Sequence, residues 1–590
     1  MKIYRSRILA GVLLLTSLEP CVGREASAQQ GKAAQGSLKV RMEFNIRMPM
    51  RDGVTLATDI YRPDAPGRFP VILTRTPYGR STKQSGAFGL LFAKHGFVYV
   101  VQDTRGRYDS DGGFHPRFHE VADGDDSIEW VARQAWSSGS VGTFGASYSA
   151  WNQWQQAPTA GDHLKAMISI VTLPDPFLNV PYQNGAFLTS WIEWMLMMST
   201  RTNQDLSMYD LPTLYRHLPL STIDQAAGRN VPWWKDFTAH NSFDSYWKPI
   251  AYMDKYASIK VPVLHVDGWF DDDLIGSLTN FPGMEAHGGT PEARRGQRLI
   301  IGPWVHHVNT DQKLADTDFG PQSLIDLNSV YLQWFDCYLK NIGCKELAAE
   351  PPVKVFEMGA NRWREEKDWP LPQAKVEPFY FSGKGRANTV HGDGVLTRTV
   401  PKDEAPDHFT YDPENPVPTI YLPGASPFGT TEDQRPVESR PDVLVYTSVP
   451  LDEPVQVTGP IKVKLWAASS APDTDWTAKL IDVHPDGYAQ RLIENVLRAR
   501  YRESFEKPSL LQPGKTYEYE INLWATSNLF KKGHRIRVEI SSSNFPRYSR
   551  NLNTGKSNET TTEMQVAKQT IYHDSAHPSS ILLPIVPTER

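Results

Sequence analysis

A serine at position 147 lies in Val141-Gly-Thr-Phe-Gly145-Ala-Ser147-Tyr148-Ser149-Ala150, between an apolar strand-like run and a helix-forming one. On a sharp strand-to-helix turn a serine stands clear of the sheet, where a base can take its proton and the oxygen can attack an acyl carbon. Taken alone the pattern is common, and such a serine can equally cap the helix that follows. Two more segments share the form. Val261-Pro-Val-Leu-His-Val-Asp-Gly268-Trp-Phe-Asp271 runs from an apolar strand into a carboxylate, and Leu299-Ile-Ile-Gly302-Pro-Trp-Val-His306 runs from one into an imidazole. The chain order is Ser, Asp, His, with His306 as the candidate base and Asp271 as the group that fixes its tautomer and stabilises the imidazolium. On spacing alone Asp267, Asp272 and Asp273 compete with Asp271, and His307 competes with His306.

Those residues need elements that bring them together. Residues 40–60 alternate apolar and polar around the turn Arg51-Asp52-Gly53, which reads as an edge hairpin. Buried-type strands follow at Pro70–Arg75 and Phe97–Asp103, then a helix-like run at Asp123–Gln134. Strands alternating with helices predict a parallel sheet covered on both faces. Its strand C-termini share one edge, so Ser147, Asp271 and His306 can converge there. Residues 175–255 carry Trp191, Trp194, Trp233, Trp234 and Trp247 and no strong strand pattern, which reads as a helical cap, most of these tryptophans being cap core. The sheet resumes at about 258, and the domain closes with a helix at Ser323–Lys340. After Pro351-Pro352, short alternating strands such as Ile461–Leu465 and Ile536–Ile540 indicate an all-β sandwich. The predicted division is a leader at 1–28, an α/β domain at 29–350 with its cap at 175–255, and a β domain at 351–590.

With these motifs in register the chain resembles the cocaine-esterase and X-prolyl dipeptidyl-peptidase family of α/β-hydrolases, which includes α-amino-acid ester hydrolases and glutaryl-cephalosporin acylases. The family turn Gly-x-Ser-Tyr-x-Gly is matched by Gly145, Ser147 and Tyr148, with Ala150 in place of the last glycine. The family acid follows Gly-Trp-aromatic, which selects Asp271 after Gly268-Trp269-Phe270, and its histidine follows Gly-Pro-Trp-x, which selects His306. Arg75-Thr-Pro77-Tyr78 matches a segment whose tyrosine donates its hydroxyl to the oxyanion. The resemblance runs from about Val40 past Asn553. It implies an α/β-hydrolase core with an inserted helical cap, then a C-terminal jelly roll. The Tyr78 hydroxyl and the Tyr148 backbone N–H would form the oxyanion hole, and Trp151, Trp269 and Phe270 are candidate substrate contacts. Ser149 and Ala150 are the next smallest choices after glycine, so the turn is expected to survive with a slightly wider crossing.

Composition narrows the compartment and the partners. A chain of 590 residues with 40% hydrophobic and 22% charged residues suits a soluble multidomain enzyme, and a net charge of −5 offers no basic face for nucleic acid. Lys2, Arg5 and Arg7, the apolar run Ile8–Leu18 and the small-x-small site Ala26-Ser27-Ala28 read as a signal peptide. The mature chain is then exported, periplasmic or secreted, with no membrane span. After cleavage Cys337 and Cys344 remain, either bridged across a short loop or as two free thiols. No metal motif and no cofactor is implied, and a homo-oligomer is left open.

The expected reaction is hydrolysis of a small-molecule carboxylic ester or amide through an acyl-enzyme. An X-Pro dipeptidyl-peptidase or α-amino-acid ester hydrolase is the alternative. A non-catalytic, polymer-binding jelly-roll protein is the distant one. Relatives that take α-amino substrates hold the ammonium with carboxylates, some of them from the segment after the serine turn. The corresponding stretch here, Asn179–Phe187, has none. A carboxylate from elsewhere, for example Glu193 or Asp244, would otherwise serve, although Asp244 reads equally as a structural turn residue.

Overall fold

The computed structural model describes residues 38–421 and 431–587. The expected leader, with Cys21, lies outside them. The first sheet has ten strands: β1 (Val40–Pro49), β2 (Thr55–Pro63), β3 (Phe69–Thr76), β4 (Val98–Asp103), β5 (Ser137–Ala146), β6 (Leu164–Ile170), β7 (Val263–Gly268), β8 (Gln297–Gly302), β9 (Val353–Glu357) and β10 (Arg362–Glu366). Their order is β1-β2-β4-β3-β5-β6-β7-β8-β9-β10. From β4 to β9 every pairing is parallel, while β1, β2 and β10 join antiparallel. β4 and β7 are buried along their whole length, which is why they read as continuous apolar runs rather than alternating ones. The parallel set puts the ends of β3, β5, β7 and β8 on one edge.

The first sheet continues past the division expected between residues 350 and 351. Pro351-Pro352 has a linker's composition, yet Val353 pairs with Leu299 and extends the first sheet. Only at Lys375–Ser382 does the chain enter the second sheet. That sheet has eleven strands, nearly all antiparallel, and folds over a core that includes Ile461, Val463, Leu465, Ile521, Val538 and Ile540. The alternation seen at 461–467 is real: Ile461, Val463, Leu465 and Ala467 are buried, while Lys462, Lys464 and Trp466 between them reach the surface.

Between β6 and β7 the chain forms four short helices, Ser190–Met197, Leu211–Arg216, Ile223–Ala226 and Pro232–Ala239, with 3₁₀ turns. This is the predicted cap. Trp191, Trp233, Trp234 and Trp247 are buried in it. It is pinned to the jelly roll by Gln183 and Asn184 donating to Asn495 (2.7 and 3.2 Å). Gly185 is required there, since a Cβ at its φ of +84° would lie 2.0 Å from the Tyr501 ring. Cys337 and Cys344 are joined by a disulfide between the helix Leu327–Lys340 and the next short helix. Among the described residues no helix is long and apolar enough to cross a membrane.

Candidate active site

Ser147 follows β5 directly and starts the helix Tyr148–Gln156 with φ 58° and ψ −125°. An L-residue adopts that conformation only at a cost. The turn is held by Ser147 N–H on Ile170 O (2.9 Å) and by the N–H groups of Ala150 and Trp151 on Ser147 O (both 2.9 Å). Ser147 makes no side-chain cap bond, so the capping role considered for it is not the one it plays. Gly145 is indispensable, because a Cβ there would sit 2.6 Å from the Ser149 Cβ and carbonyl oxygen. Ser149 and Ala150 are both buried in the crossing.

The acid and histidine loops are laced together. Trp269 N–H donates to Gly302 O (2.8 Å) and Phe270 N–H to Trp304 O (2.9 Å). A Cβ on Gly268 would lie 2.2 Å from Trp304 O, and one on Gly302 would lie 2.3 Å from the Trp304 ring. Both motif glycines therefore exist to seat Trp304. The lacing sets Asp271 against His306, with Nδ1 of the imidazole 2.7 Å from Asp271 Oδ1. Asp272 and Asp273 stand further off, at 3.9 and 3.8 Å from the same nitrogen. The side chain of Asp271 is fully buried, while that of His306 is 34% exposed. An imidazole whose Nδ1–H is held by a buried carboxylate has Nε2 free to accept a proton.

Asp267 supports this pair from below. Burial, reinforced by the neighbouring Asp271 charge, pushes its carboxyl well above the ordinary range. Asp267 Oδ2 and Asp271 Oδ2 otherwise lack partners. A proton on Asp267 donated to Asp271 satisfies both. Burial and the Asp272 charge also push Asp271 upward, and the Asp267 bond opposes that.

Tyr78 follows β3. Its hydroxyl accepts from Trp194 Nε1 (3.2 Å) and lies within hydrogen-bond reach of the Ser147 side chain. Burial raises its pKa, so the phenol keeps the proton that a donor needs. The loop is fixed by Arg107, which donates to Pro77 O (2.9 Å) and to Asn203 Oδ1 of the cap (2.6 Å). The Tyr148 ring is held away from the site, its hydroxyl donating to Glu120 Oε1 (2.9 Å) and accepting from Arg117 N–H (2.8 Å).

Trp194 is the residue that the sequence does not single out. It lies stacked over Tyr148 (centroids 6.1 Å, 12°) and edge-on to Trp233 (5.7 Å), so it brings the cap's aromatic cluster onto the Tyr78 hydroxyl. Five cap tryptophans look alike in sequence, and only the packing of the helix Ser190–Met197 distinguishes this one. By contrast, the three proposed substrate contacts are packing residues. Trp151 is buried under the Arg117 guanidinium (4.6 Å). The Trp269 indole N–H donates to Phe356 O (2.7 Å) and its ring meets Trp369 (6.0 Å). Phe270 packs on Phe319 (5.9 Å). Each sits beside a motif residue and is packed into a buried apolar cluster.

Comparison with known proteins places the chain in a family. The X-Pro dipeptidyl-peptidase (S15 family) model matches residues 52–308, and that for the X-Pro dipeptidyl-peptidase C-terminal non-catalytic domain matches 346–582. The cocaine esterase of Rhodococcus sp. (strain MB1 Bresler) is 37% identical over 575 residues, covering 92% of this chain and 98% of that protein. The chain belongs to the cocaine-esterase and X-prolyl dipeptidyl-peptidase family. Two solved structures are similar throughout. One is an α-amino acid ester hydrolase (TM-score 0.81, 27% identity, 96% of this chain and 100% of that one). The other is an aminopeptidase from the marine sediment archaeon Thaumarchaeota archaeon (TM-score 0.81, 28% identity, 96% and 99%). The protein is thus a serine hydrolase of the S15 family, with an α/β-hydrolase core and a C-terminal jelly roll.

Within this family fold the stretch Asn179–Phe187 does reach the acid loop. It brings an amide there: Asn179 Nδ2 donates to Asp273 Oδ1 (2.9 Å) and to Asp272 O (2.8 Å). Glu193 is buried and accepts from the Tyr215 hydroxyl. Asp244 is a turn residue, held by His240 Nδ1 (2.7 Å) and Tyr246 N–H (2.9 Å). The carboxylates beside His306 are those of the acid loop itself.

Proposed function

We propose that this hydrolase is an exported acyl esterase or amidase acting through Ser147, His306 and Asp271. His306 Nε2 takes the Ser147 proton as Oγ attacks the acyl carbon. The proton then passes to the leaving group as the tetrahedral intermediate collapses to an acyl-enzyme. Water attacks the acyl-enzyme by the same route, giving the acid and free Ser147. The Tyr148 N–H and the Tyr78 hydroxyl stabilise the oxyanion in each step. The observation that carries this reading is the 2.7 Å Asp271–His306 bond, on the same sheet edge as a strained Ser147 within reach of Tyr78.

The acyl group is proposed to lack a free α-amine. An ammonium in a largely aromatic pocket needs a carboxylate partner. Asn179 supplies an amide, and Glu193 is occupied by Tyr215. One observation favours the second reading, α-amino-acid ester or X-Pro cleavage: Asp272 and Asp273 lie 3.9 and 3.8 Å from His306 Nδ1. Matched aryl esters with and without an α-amino group, and an X-Pro-anilide, separate the two near neutral pH. The expected result is a higher kcat/KM for the des-amino ester and little anilide turnover. A clear preference for the amino form would hand the acyl site to Asp272 and Asp273.

A further inference from the structure

The strands Asp475–Val483 and Arg535–Ser541 run antiparallel with Val483 opposite Arg535. One step outward, His484 stands across from His534, and Asp482 lies on the same face because side chains alternate along a strand. The two imidazoles are 4.5 Å apart between centroids and tilted by 38°. His534 Nδ1 is 2.8 Å from Asp482 Oδ1. One ligand-type atom from each of the three lies within 4.8 Å of the others. Asp482 and His534 are buried, and His484 is half-buried. All three line a cavity of about 430 Å³ that the segment Asp316–Phe319 of the hydrolase domain also lines. None of them takes part in the acyl chemistry.

We propose that Asp482, His484 and His534 form a binding site for one divalent transition-metal ion of the zinc type, at the cleft between the two domains. Two imidazole nitrogens and one carboxylate are a donor set for such ions, whereas calcium and magnesium take oxygen. Two ligand atoms each about 2.0–2.2 Å from a common ion stand roughly 3 Å apart, which the His534–Asp482 pair already does. The outer contacts also fit. Asp482 Oδ2 accepts from Asn528 Nδ2 (3.2 Å), and Gln490 Oε1 holds His484 Nε2 (3.2 Å), which turns Nδ1 of that ring to the ion. His534 ligates through Nδ1 and gives up the proton it shares with Asp482. The carboxylates of Asp316 and Asp318, on the loop that follows His306, line the same cleft. Sequence spacing hides the site, because its ligands come from two strands far apart in the chain.

Zinc titration of the chelator-treated full chain by calorimetry tests this, with cobalt(II) as a spectroscopic probe. One zinc ion per chain is expected to bind, and cobalt(II) to give visible absorption that zinc displaces. His484→Gln and His534→Gln should each weaken zinc by about 100-fold or more while retaining ester turnover. His306→Gln, which removes the histidine beside Asp271–Asp273, should leave zinc affinity unchanged. Failure of zinc to bind the wild-type chain at about 100 μM would overturn the proposal. So would binding that survives both jelly-roll substitutions, loss of binding in His306→Gln, or calcium binding more tightly than zinc.

Discussion

Ser147→Ala lowers kcat for an aryl ester by about five to six orders of magnitude, with KM and the folded structure nearly unchanged. Removing a nucleophile costs about that much because the histidine and its acid then have nothing to activate, and only binding and the oxyanion hole remain. The side chain makes no cap bond, so the fold does not depend on its hydroxyl. Its backbone is another matter. At φ 58° and ψ −125° an alanine keeps the strain that a glycine would relieve. Ser147→Gly should therefore be as inactive as the alanine variant yet about 1 kcal/mol more stable in denaturant melts. Equal stability of the two variants would mean that the turn stores no strain. Residual activity within tenfold of wild type in either would remove Ser147 from the chemistry.

Tyr78→Phe has the second largest expected effect, a loss of roughly 10²–10³ in kcat with KM nearly constant. One oxyanion donor is worth about 2.7–4 kcal/mol in the transition state. The phenol is set for that task, since Trp194 donates to its oxygen and so leaves its own O–H free to donate. The fold should tolerate the change, because Arg107 holds this loop through the Pro77 carbonyl and not through the ring. A change confined to KM would make Tyr78 a wall of the pocket. Trp194→Phe isolates the supporting bond and is expected to cost less than the loss of the hydroxyl itself.

The candidate site was legible to the extent that its motifs are local. Each of Ser147, Asp271 and His306 lies just beyond the end of a strand, and the glycines around them mark close approaches that the structure accounts for atom by atom. Parallel order then follows from strand–helix alternation, and with it the shared edge. What could not be read was anything decided by packing between distant segments. Trp269 and Phe270 neighbour a motif residue, yet their burial is decided by partners such as Phe356, Trp369 and Phe319. Trp194 had no local mark at all. The Pro351-Pro352 pair carries the composition of a linker, but the apolar Val353–Glu357 still found an open edge on β8. Glu193 illustrates the same limit, since whether its carboxylate is available depends on Tyr215, in the next helix of the cap.

The central claim is that Ser147 is the nucleophile, and covalent capture tests it most directly. Treated with a fluorophosphonate probe and digested, the purified protein should carry one adduct, on the peptide containing Ser147, formed in step with loss of ester turnover. Ser147→Ala should take up no label. An adduct on another residue, or full inactivation with Ser147 unmodified, would contradict the account.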